Sequence, residues 1–190
     1  MSFSDTALLV VDAQESFRQR PYWSDVDAPV FRFLARQQAL IDGARAGGMR
    51  VVQILHVEDE GAFSLASGFV KTLDGLSITP DAVFHKRCHS ALIGSGLDTW
   101  LVKHGVRRLI VSGIRTEQCC ETTTRHASDL GYAVDFVGEA TLTFTMTGRD
   151  GRRWTPGEIR ARTELVLDGR FARIATVEEA LAGAAAKRAA

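Results

Sequence analysis

Short apolar runs alternate with longer stretches of helical periodicity along the chain. The runs are continuously apolar, which is typical of parallel strands covered on both faces. They predict strands at residues 6–11, 50–56, 83–86, 108–112, 133–137 and 173–175. Apolar residues at helical spacing predict helices at 30–46, 97–104, 117–130 and 158–167, and an alanine-rich helix from about residue 177. This alternation predicts an α/β fold, a three-layer α/β/α arrangement with a mainly parallel six-stranded sheet.

Two segments lack this periodicity. Residues 58–80 are rich in glycine, serine and threonine, which predicts a long surface loop or lid with a helical turn or two. Residues 145–157 are polar and contain three glycines, and we expect them to form a lid or a contact between subunits. No internal repeat or linker divides the sequence, so we expect residues 1–190 to form a single domain.

Composition narrows the class of protein. An apolar fraction of 45% and a charged fraction of 24% are ordinary for a soluble globular chain. Lysine plus arginine and aspartate plus glutamate both total 23, and a net charge of zero argues against nucleic acid or an anionic membrane as partner. The apolar run at residues 7–11 is too short to span a membrane, and no basic leader precedes it. We expect a cytoplasmic protein that acts on a small molecule.

The three cysteines, Cys88, Cys119 and Cys120, restrict the chemistry further. An odd number with two adjacent members fits neither a disulfide framework nor the paired spacing of zinc sites. The remaining interpretations are buried packing or one reactive thiol in a reducing compartment. We predict no metal and no other cofactor.

Chemically active side chains follow three of the predicted strands. Asp12 follows the first strand, Lys86 ends the third, and Cys119 comes shortly after the fourth. Each has an ordinary structural explanation by itself: a capping aspartate, a solvated lysine, a buried cysteine. However, the carboxyl ends of parallel strands meet at one edge of the sheet, where ligands bind. The combination therefore predicts a carboxylate, an amine and a thiol at one catalytic site.

The predicted position of Cys119 is the first turn of a helix. Thr116 is a suitable N-cap, which makes Glu117, Gln118 and Cys119 the first three helical residues. Free backbone N–H groups and the helix dipole stabilise a thiolate there, so we expect the pKa of the thiol to be lowered from its ordinary value of about 8.5. Cys120 points about 100° away around the helix, so only one of the two thiols faces the site. We predict Cys119 as the nucleophile and expect Cys120 to pack against the sheet.

Three segments resemble the isochorismatase-like cysteine hydrolases, a family that includes nicotinamidases and N-carbamoyl amide hydrolases. LLVVDAQESF resembles the family's opening strand with its aspartate, FHKRCHSAL its lysine segment, and VSGIRTEQCCETTTRHASDLGYAV its nucleophile segment. The resemblance covers about residues 5–145. It implies the Rossmann-like fold of these hydrolases and assembly as a homodimer or homotetramer.

The resemblance also implies roles for particular residues. Asp12 is then the general acid and base, Lys86 the cation that keeps the carboxylate and thiolate charged, and Cys119 the nucleophile. A cis peptide bond between Ile114 and Arg115 is implied as well; it would direct the N–H groups of Arg115 and Cys119 at the substrate carbonyl as an oxyanion hole. The implied reaction is metal-independent hydrolysis of a small amide or carbamoyl C–N bond through a cysteine acyl (thioester) intermediate.

The sequence departs from the family pattern in two places. Nicotinamidases hold a metal with an aspartate and two histidines after their second strand, whereas HVEDEGAFSLASGF here contains a single histidine. His56, Glu58 and Asp59 are a weak candidate set for a metal, so nicotinamide is disfavoured as substrate. Glu139 and Ala140 stand where the family often has an aspartate and an alanine.

Residues that contact substrate are predicted from their proximity to these segments. The candidates are Gln14, Phe17, Trp23 and Arg87, with Phe63, His89 and Arg115 as further possibilities. The aromatic residues fit an apolar pocket, the core or a subunit contact equally well. The arginines suit a substrate carboxylate, although solvent-facing arginines are the commoner finding.

Two other functions stay open from the sequence. One is hydrolysis of a vinyl ether of the isochorismate type, using Asp12 and Lys86 without the thiol. The other is a non-enzymatic module in which Cys119 and Cys120 serve redox sensing or ligand binding.

Overall fold

The computed structural model describes residues 4–183 and contains a parallel sheet flanked by helices. The strands are β1 Thr6–Val11, β2 Arg50–His56, β3 Ala82–Lys86, β4 Arg108–Ile114, β5 Ala133–Leu142, β6 Met146–Thr147, β7 Arg153–Trp154 and β8 Arg173–Ile174. The helices are α1 Val30–Ala46, α2 Leu97–Lys103, α3 Glu121–Asp129, α4 Pro156–Leu167 and α5 Val177–Leu181. Single turns of 3₁₀ helix occupy Glu15–Gln19, Pro21–Ser24, Gly61–Phe63 and Leu65–Ser67, and a π-helical turn, Thr116–Cys120, leads into α3.

The main sheet has six parallel strands in the order β3-β2-β1-β4-β5-β8. The chain starts in the middle with β1, moves outward through β2 and β3, and then returns to the other side of β1 with β4. Ligands bind at such a reversal of strand order, beyond the carboxyl ends of the strands. The ends of β1 and β4 are therefore the expected position of a site.

Apolar residues cover both faces of the sheet, as continuous apolar strands require. Leu8 and Val10 of β1 belong to a core cluster that includes α1 and α5 residues. Ala7, Leu9 and Val11 point to the other face and join a cluster that contains residues of α2 and α3. This division confirms the three-layer α/β/α fold.

The segments without periodicity take particular structures. Residues 58–80 contain the two short 3₁₀ turns and are fixed to the body of the protein by the buried side chains of Phe63 and Leu73. Within residues 145–157, β6 and β7 form a two-stranded antiparallel hairpin, which the sequence pattern did not predict. The predicted alanine-rich C-terminal helix is present as α5, and its expected continuation over 184–190 lies outside the described residues.

Of the helices in residues 4–183, none combines the length and apolarity that crossing a bilayer requires.

Candidate active site

The three side chains singled out by the sequence lie together at the carboxyl end of the sheet. Lys86 Nζ is 2.7 Å from Asp12 Oδ2 and 3.2 Å from Cys119 Sγ. The side chains of Asp12 and Lys86 are completely buried. Cys119 keeps 7% of its surface exposed, so it is the residue of the three that borders solvent.

Asp12 is held by an unusual backbone conformation and by its neighbouring strands. Its φ angle is 50°, in the left-handed region that non-glycine residues adopt at a cost, and its N–H donates to the Ile54 carbonyl at 2.8 Å. On the other side, Gly113 has φ +124°, and a Cβ there would lie 1.9 Å from the carbonyl oxygen of Val11. Only glycine allows β4 to approach the end of β1 so closely, and this approach places the segment that leads to Cys119 beside Asp12.

Lys86 has four polar neighbours. Besides Asp12 and Cys119, its Nζ donates to the carbonyl of Cys88 at 3.0 Å and lies 3.2 Å from Nδ1 of His56. A buried ammonium needs such partners, because burial without hydrogen bonds strongly disfavours the charged form. Here burial lowers the pKa of Lys86, but the charges of Asp12 and Cys119 outweigh it and raise that pKa above its ordinary value.

His56 is a site residue that the sequence suggested only as a metal ligand. It ends β2 and is the register partner of Lys86 on β3, so the pairing of these strands brings the two side chains together. Burial, followed by the charge of Lys86, lowers the pKa of His56 to about 4. The imidazole is therefore neutral at neutral pH, with Nδ1 accepting from the ammonium and the proton on Nε2, which lies 3.7 Å from Glu58 Oε1.

The turn that carries Cys119 differs from the predicted helix start. Thr116 is the first residue of the π-helical turn and not an N-cap, and α3 begins only at Glu121. The hydroxyl of Thr116 lies 2.7 Å from that of Thr141 on β5, so it is not available to cap the helix. The predicted capping role of Thr116 was wrong because β5 extends five residues past its predicted end at Val137, to Leu142, and supplies a competing partner.

The backbone before Cys119 has a distinctive hydrogen-bond pattern. The peptide bond between Ile114 and Arg115 is cis. The carbonyl of Arg115 accepts hydrogen bonds from the N–H groups of Gln118 and Cys120, each at 3.2 Å. It accepts none from the N–H of Cys119. The fifth-residue spacing of the second bond is the mark of a π turn, which is frequent at functional sites.

The two cysteines have different surroundings. Cys120 is completely buried and belongs to the core cluster between the sheet and α2 and α3. Cys119 belongs to the same cluster, but it keeps 7% of its surface exposed and its sulfur contacts Lys86. Cys119 is therefore the cysteine of the two whose thiol meets the ammonium.

The expectation of a lowered thiol pKa was wrong. Burial and, after it, the charge of Asp12 raise the pKa of Cys119 to about 12, against the opposing effect of Lys86. Burial also raises the pKa of Asp12 above its ordinary value, again against the effect of Lys86. Two acidic groups share one ammonium, so only one negative charge is balanced, and the resting site keeps one proton between the carboxyl and the thiol.

The sequence-predicted substrate residues lie at different depths. Gln14 is completely buried, and its amide both donates to the His56 carbonyl at 3.0 Å and accepts from the His56 N–H at 2.7 Å. It thus ties the segment after β1 to the end of β2. Phe17 packs edge-on against Phe63 with ring centroids 5.0 Å apart, and Phe63 in turn contacts the His56 ring at 5.8 Å.

A second aromatic group lies on the side of Arg115. Tyr22 and Trp23 pack against Phe144, with ring centroids 4.7 and 5.7 Å apart. The Arg115 guanidinium lies 5.2 Å from the Tyr22 ring centroid. Burial raises the pKa of Tyr22, and the charges that act on it include those of Arg115 and Cys119. Tyr22 and Phe144 were missed by sequence reasoning, since they lie far apart in the chain and in no motif.

The region after β2 does not gather metal ligands. Asp59 is exposed and forms an ion pair with Arg87, another predicted substrate residue, at the surface. Within residues 4–183, no group of three or more histidine, cysteine, aspartate or glutamate side chains is arranged to hold a metal ion.

Two surface cavities lie away from the three side chains. One of about 220 Å³ lies beside Asp135 and Phe171, near the start of β5, and one of about 470 Å³ lies between Arg36 and Arg160. Neither is lined by Asp12, Lys86 or Cys119. The chemical character of the side chains, rather than cavity size, identifies the candidate site.

The chain is similar to several known proteins. Residues 6–154 match the family model described as isochorismatase domain. The chain is 22% identical over 182 residues to the uncharacterised isochorismatase family protein YrdC of Bacillus subtilis strain 168, covering 91% of this chain and 92% of that protein. It is 27% identical over 179 residues to ureidoacrylate amidohydrolase RutB of Stutzerimonas stutzeri, covering 74% and 71%. The crystal structure of a putative hydrolase of the isochorismatase family from Chromobacterium violaceum superposes with a TM-score of 0.85 at 28% identity, covering 96% of this chain and 94% of that one.

Proposed function

Because the chain belongs to the isochorismatase family of hydrolases, we propose that it hydrolyses a small amide or carbamoyl C–N bond through a thioester on Cys119. Asp12 serves as general acid and base in this proposal, and Lys86 holds the developing charges. The oxyanion hole consists of the N–H groups of Arg115 and Cys119. The proposal requires no metal or other cofactor.

The observation that carries the proposal is the position of the Lys86 ammonium between a carboxylate and a thiol. Its distances of 2.7 Å to Asp12 and 3.2 Å to Cys119 allow it to balance a negative charge on either group. Moving a proton from the thiol to the carboxylate therefore changes no net charge in the buried site. This transfer makes a thiolate available even though burial raises the pKa of the thiol to about 12.

The reaction then proceeds in two halves. The Cys119 sulfur forms a bond to the carbonyl carbon while its proton moves to Asp12. As the C–N bond breaks, Asp12 returns that proton to the leaving nitrogen and the acyl group stays on sulfur. Asp12 then takes a proton from water, hydroxide adds to the thioester, and the C–S bond breaks to release the acid. The thiol is restored when Asp12 gives back the proton.

The negative oxygen of each tetrahedral intermediate needs donors that are in place beforehand. The Arg115 carbonyl accepts from residues 118 and 120 but not from Cys119, which supports the assignment of the Cys119 N–H to the substrate. Preorganised backbone donors of this kind typically contribute a factor of about 10² to 10³ in rate.

The name of one relative supports the substrate class. RutB is an amidohydrolase of ureidoacrylate, a compound with a ureido C–N bond. We extend that bond type, and not the compound itself, to this chain. A cytoplasmic location, a single domain and a homodimer or homotetramer stay predictions.

Ammonia release from a panel of small amides and carbamoyl compounds tests the proposal. We expect wild type to release ammonia and Cys119→Ala to release none above background, with melting temperatures within about 3 °C of each other. Cys88→Ala is the matched control, because its exposed thiol is lost while the backbone carbonyl that contacts Lys86 remains.

The same panel separates the alternatives. Full turnover of an amide by Cys119→Ala would refute the thioester mechanism. Turnover of a vinyl ether added to the panel, equal in wild type and Cys119→Ala, would favour acid catalysis by Asp12 and Lys86. Reversible oxidation of the thiols without turnover of any compound would favour a redox module.

A further inference from the structure

Arginines are frequent in the segments around the catalytic side chains, but each of four has a carboxylate partner. Arg18 lies 3.5 Å from Glu15, and Arg20 lies 3.3 Å from Glu58. The other two pairs are Arg87 with Asp59 and Arg115 with Glu117. Sequence alone suggested Arg87 and Arg115 as binders of a substrate carboxylate. In the structure, each of these two arginines is already paired with a carboxylate of the protein itself.

The Arg115–Glu117 pair lies nearest to the nucleophile along the chain, and it is built into the protein rather than solvated. The two charged groups are 3.2 Å apart, and their side chains are only 12% and 10% exposed. The guanidinium packs over Tyr22 and Phe144, with distances of 5.2 and 5.6 Å to the ring centroids. These contacts fix its position beside the nucleophile turn.

The pair also has unused hydrogen-bonding capacity. Arg115 Nε and both carboxylate oxygens of Glu117 are buried, and beyond the ion-pair contact between Nε and Oε1 they have no hydrogen-bond partner among the described residues. Buried polar atoms without partners are costly, and they are rare unless a ligand or water satisfies them. The donor and the acceptors together match a group that contains both a C=O and an N–H.

We propose that the Arg115–Glu117 pair makes the site selective for uncharged, amide-like substrates and against substrates with a carboxylate near the scissile bond. The proposal rests on the proposed function, since it takes Cys119 as the nucleophile. A substrate carboxylate would have to compete with Glu117 for the guanidinium, and it would be repelled by the negative charge of that buried glutamate. A neutral ureido or carboxamide group can instead pair with both residues.

Two alkylating reagents of nearly equal size test the proposal without knowledge of the substrate. Iodoacetamide is a neutral amide, and iodoacetate is its carboxylate counterpart. The rate of Cys119 modification by each is measured by peptide mapping, which separates it from modification of the exposed Cys88. The rate with iodoacetamide is divided by the rate with iodoacetate. This ratio is then divided by the same ratio measured for 2-mercaptoethanol, a neutral free thiol.

We expect this normalised ratio to favour iodoacetamide by about tenfold or more in wild type, since like charges disfavour the anion. Glu117→Gln should reduce the ratio about tenfold by accelerating iodoacetate alone, and Arg115→Gln, which leaves Glu117 unpaired, should increase it. Asp129→Asn is the matched control: it removes one exposed negative charge at the far end of α3 and should leave the ratio unchanged.

The failures of the two proposals can be distinguished. A normalised ratio near one in wild type, or a ratio that neither Glu117→Gln nor Arg115→Gln changes, overturns the selectivity proposal while Cys119 stays the nucleophile. If neither reagent modifies Cys119 in the folded protein, the proposed function falls and the selectivity proposal falls with it.

Discussion

Replacing Lys86 with methionine removes the positive charge between Asp12 and Cys119 while keeping a side chain of similar length. Lys86 is one of the largest fully buried side chains in the described part of the chain, and its ammonium contacts four polar atoms. Methionine fills the space without a charge, so packing is largely retained. The variant therefore isolates the electrostatic contribution of the ammonium.

The expected effect on the thiol follows from the geometry. Unit charges 3.2 Å apart attract by about 5 kcal/mol at an effective dielectric constant of ~20. Loss of that attraction reduces the population of thiolate by a factor of about 10³ to 10⁴. We expect alkylation of Cys119 by iodoacetamide, and turnover of any amide substrate, to fall by a similar factor.

The effect on stability depends on pH with a definite sign. Without Lys86, burial raises the pKa of Asp12 further above its ordinary value, because no cation opposes it. A raised pKa in the folded state means that stability is present below the unfolded pKa of about 3.9 and is lost as pH rises through the folded value. The melting temperature of Lys86→Met should therefore increase as pH falls from 7 to 5, relative to wild type.

Two controls make this test sharp. Lys103→Met removes an exposed lysine of α2 and should change neither the alkylation rate nor the pH dependence. Combining Lys86→Met with Asp12→Asn should abolish the added pH dependence, because the carboxyl is gone. Unchanged alkylation of Cys119 in a folded Lys86→Met protein would refute the electrostatic role of Lys86.

Two further substitutions test the frame of the site by urea unfolding. Gly113→Ala should destabilise the protein by about 3 kcal/mol or more, because its Cβ would lie 1.9 Å from the Val11 oxygen. The control Gly48→Ala, at φ +72° in open space, should reduce the free energy of unfolding by about 1 kcal/mol. Equal losses of stability in the two variants would contradict the packing argument. The pKa of His56, lowered to about 4, means that unfolding takes up a proton below pH 6.5, so stability falls as pH drops from 6.5 to 4. His56→Gln should reduce this loss, and an unaltered pH dependence would show that His56 is not responsible.

The elements with continuous apolar patterns could be predicted closely from sequence. The bounds of β1, α1 and β2 match the predicted 6–11, 30–46 and 50–56. These elements are buried on one or both faces. Burial requires apolar side chains at the buried positions, so the hydrophobic pattern directly indicates the element. The family resemblance also predicted which three side chains meet, because the motif residues follow strands that end at one edge.

The partners of the site residues could not be predicted, because they depend on strand order. His56 reaches Lys86 only when β2 and β3 are neighbours in register, and no local pattern encodes this pairing. Likewise, Thr116 looked like a helix cap because its competitor, Thr141, lies on a part of β5 beyond the predicted strand.

The pKa of Cys119 is the clearest difference between the prediction and the structure. Sequence reasoning counted the favourable effects of the helix start and of Lys86 on the thiolate. It did not count the burial of the thiol and the negative charge of Asp12, and these raise the pKa. Both effects depend on tertiary packing, which a motif does not contain.

The strand that supplies the amine of the site lies at the margin of the sheet. Among the strands of residues 4–183, β3 is hydrogen bonded to β2 alone, and Val83 within it is 47% exposed, whereas β1 and β4 lie in the middle. Marginal strands detach in local openings that cost less free energy than global unfolding. Loss of thiol reactivity in increasing urea should therefore precede the unfolding of the central strands. The urea dependence of catalysis would then measure the local opening of one edge strand rather than the global stability of the protein.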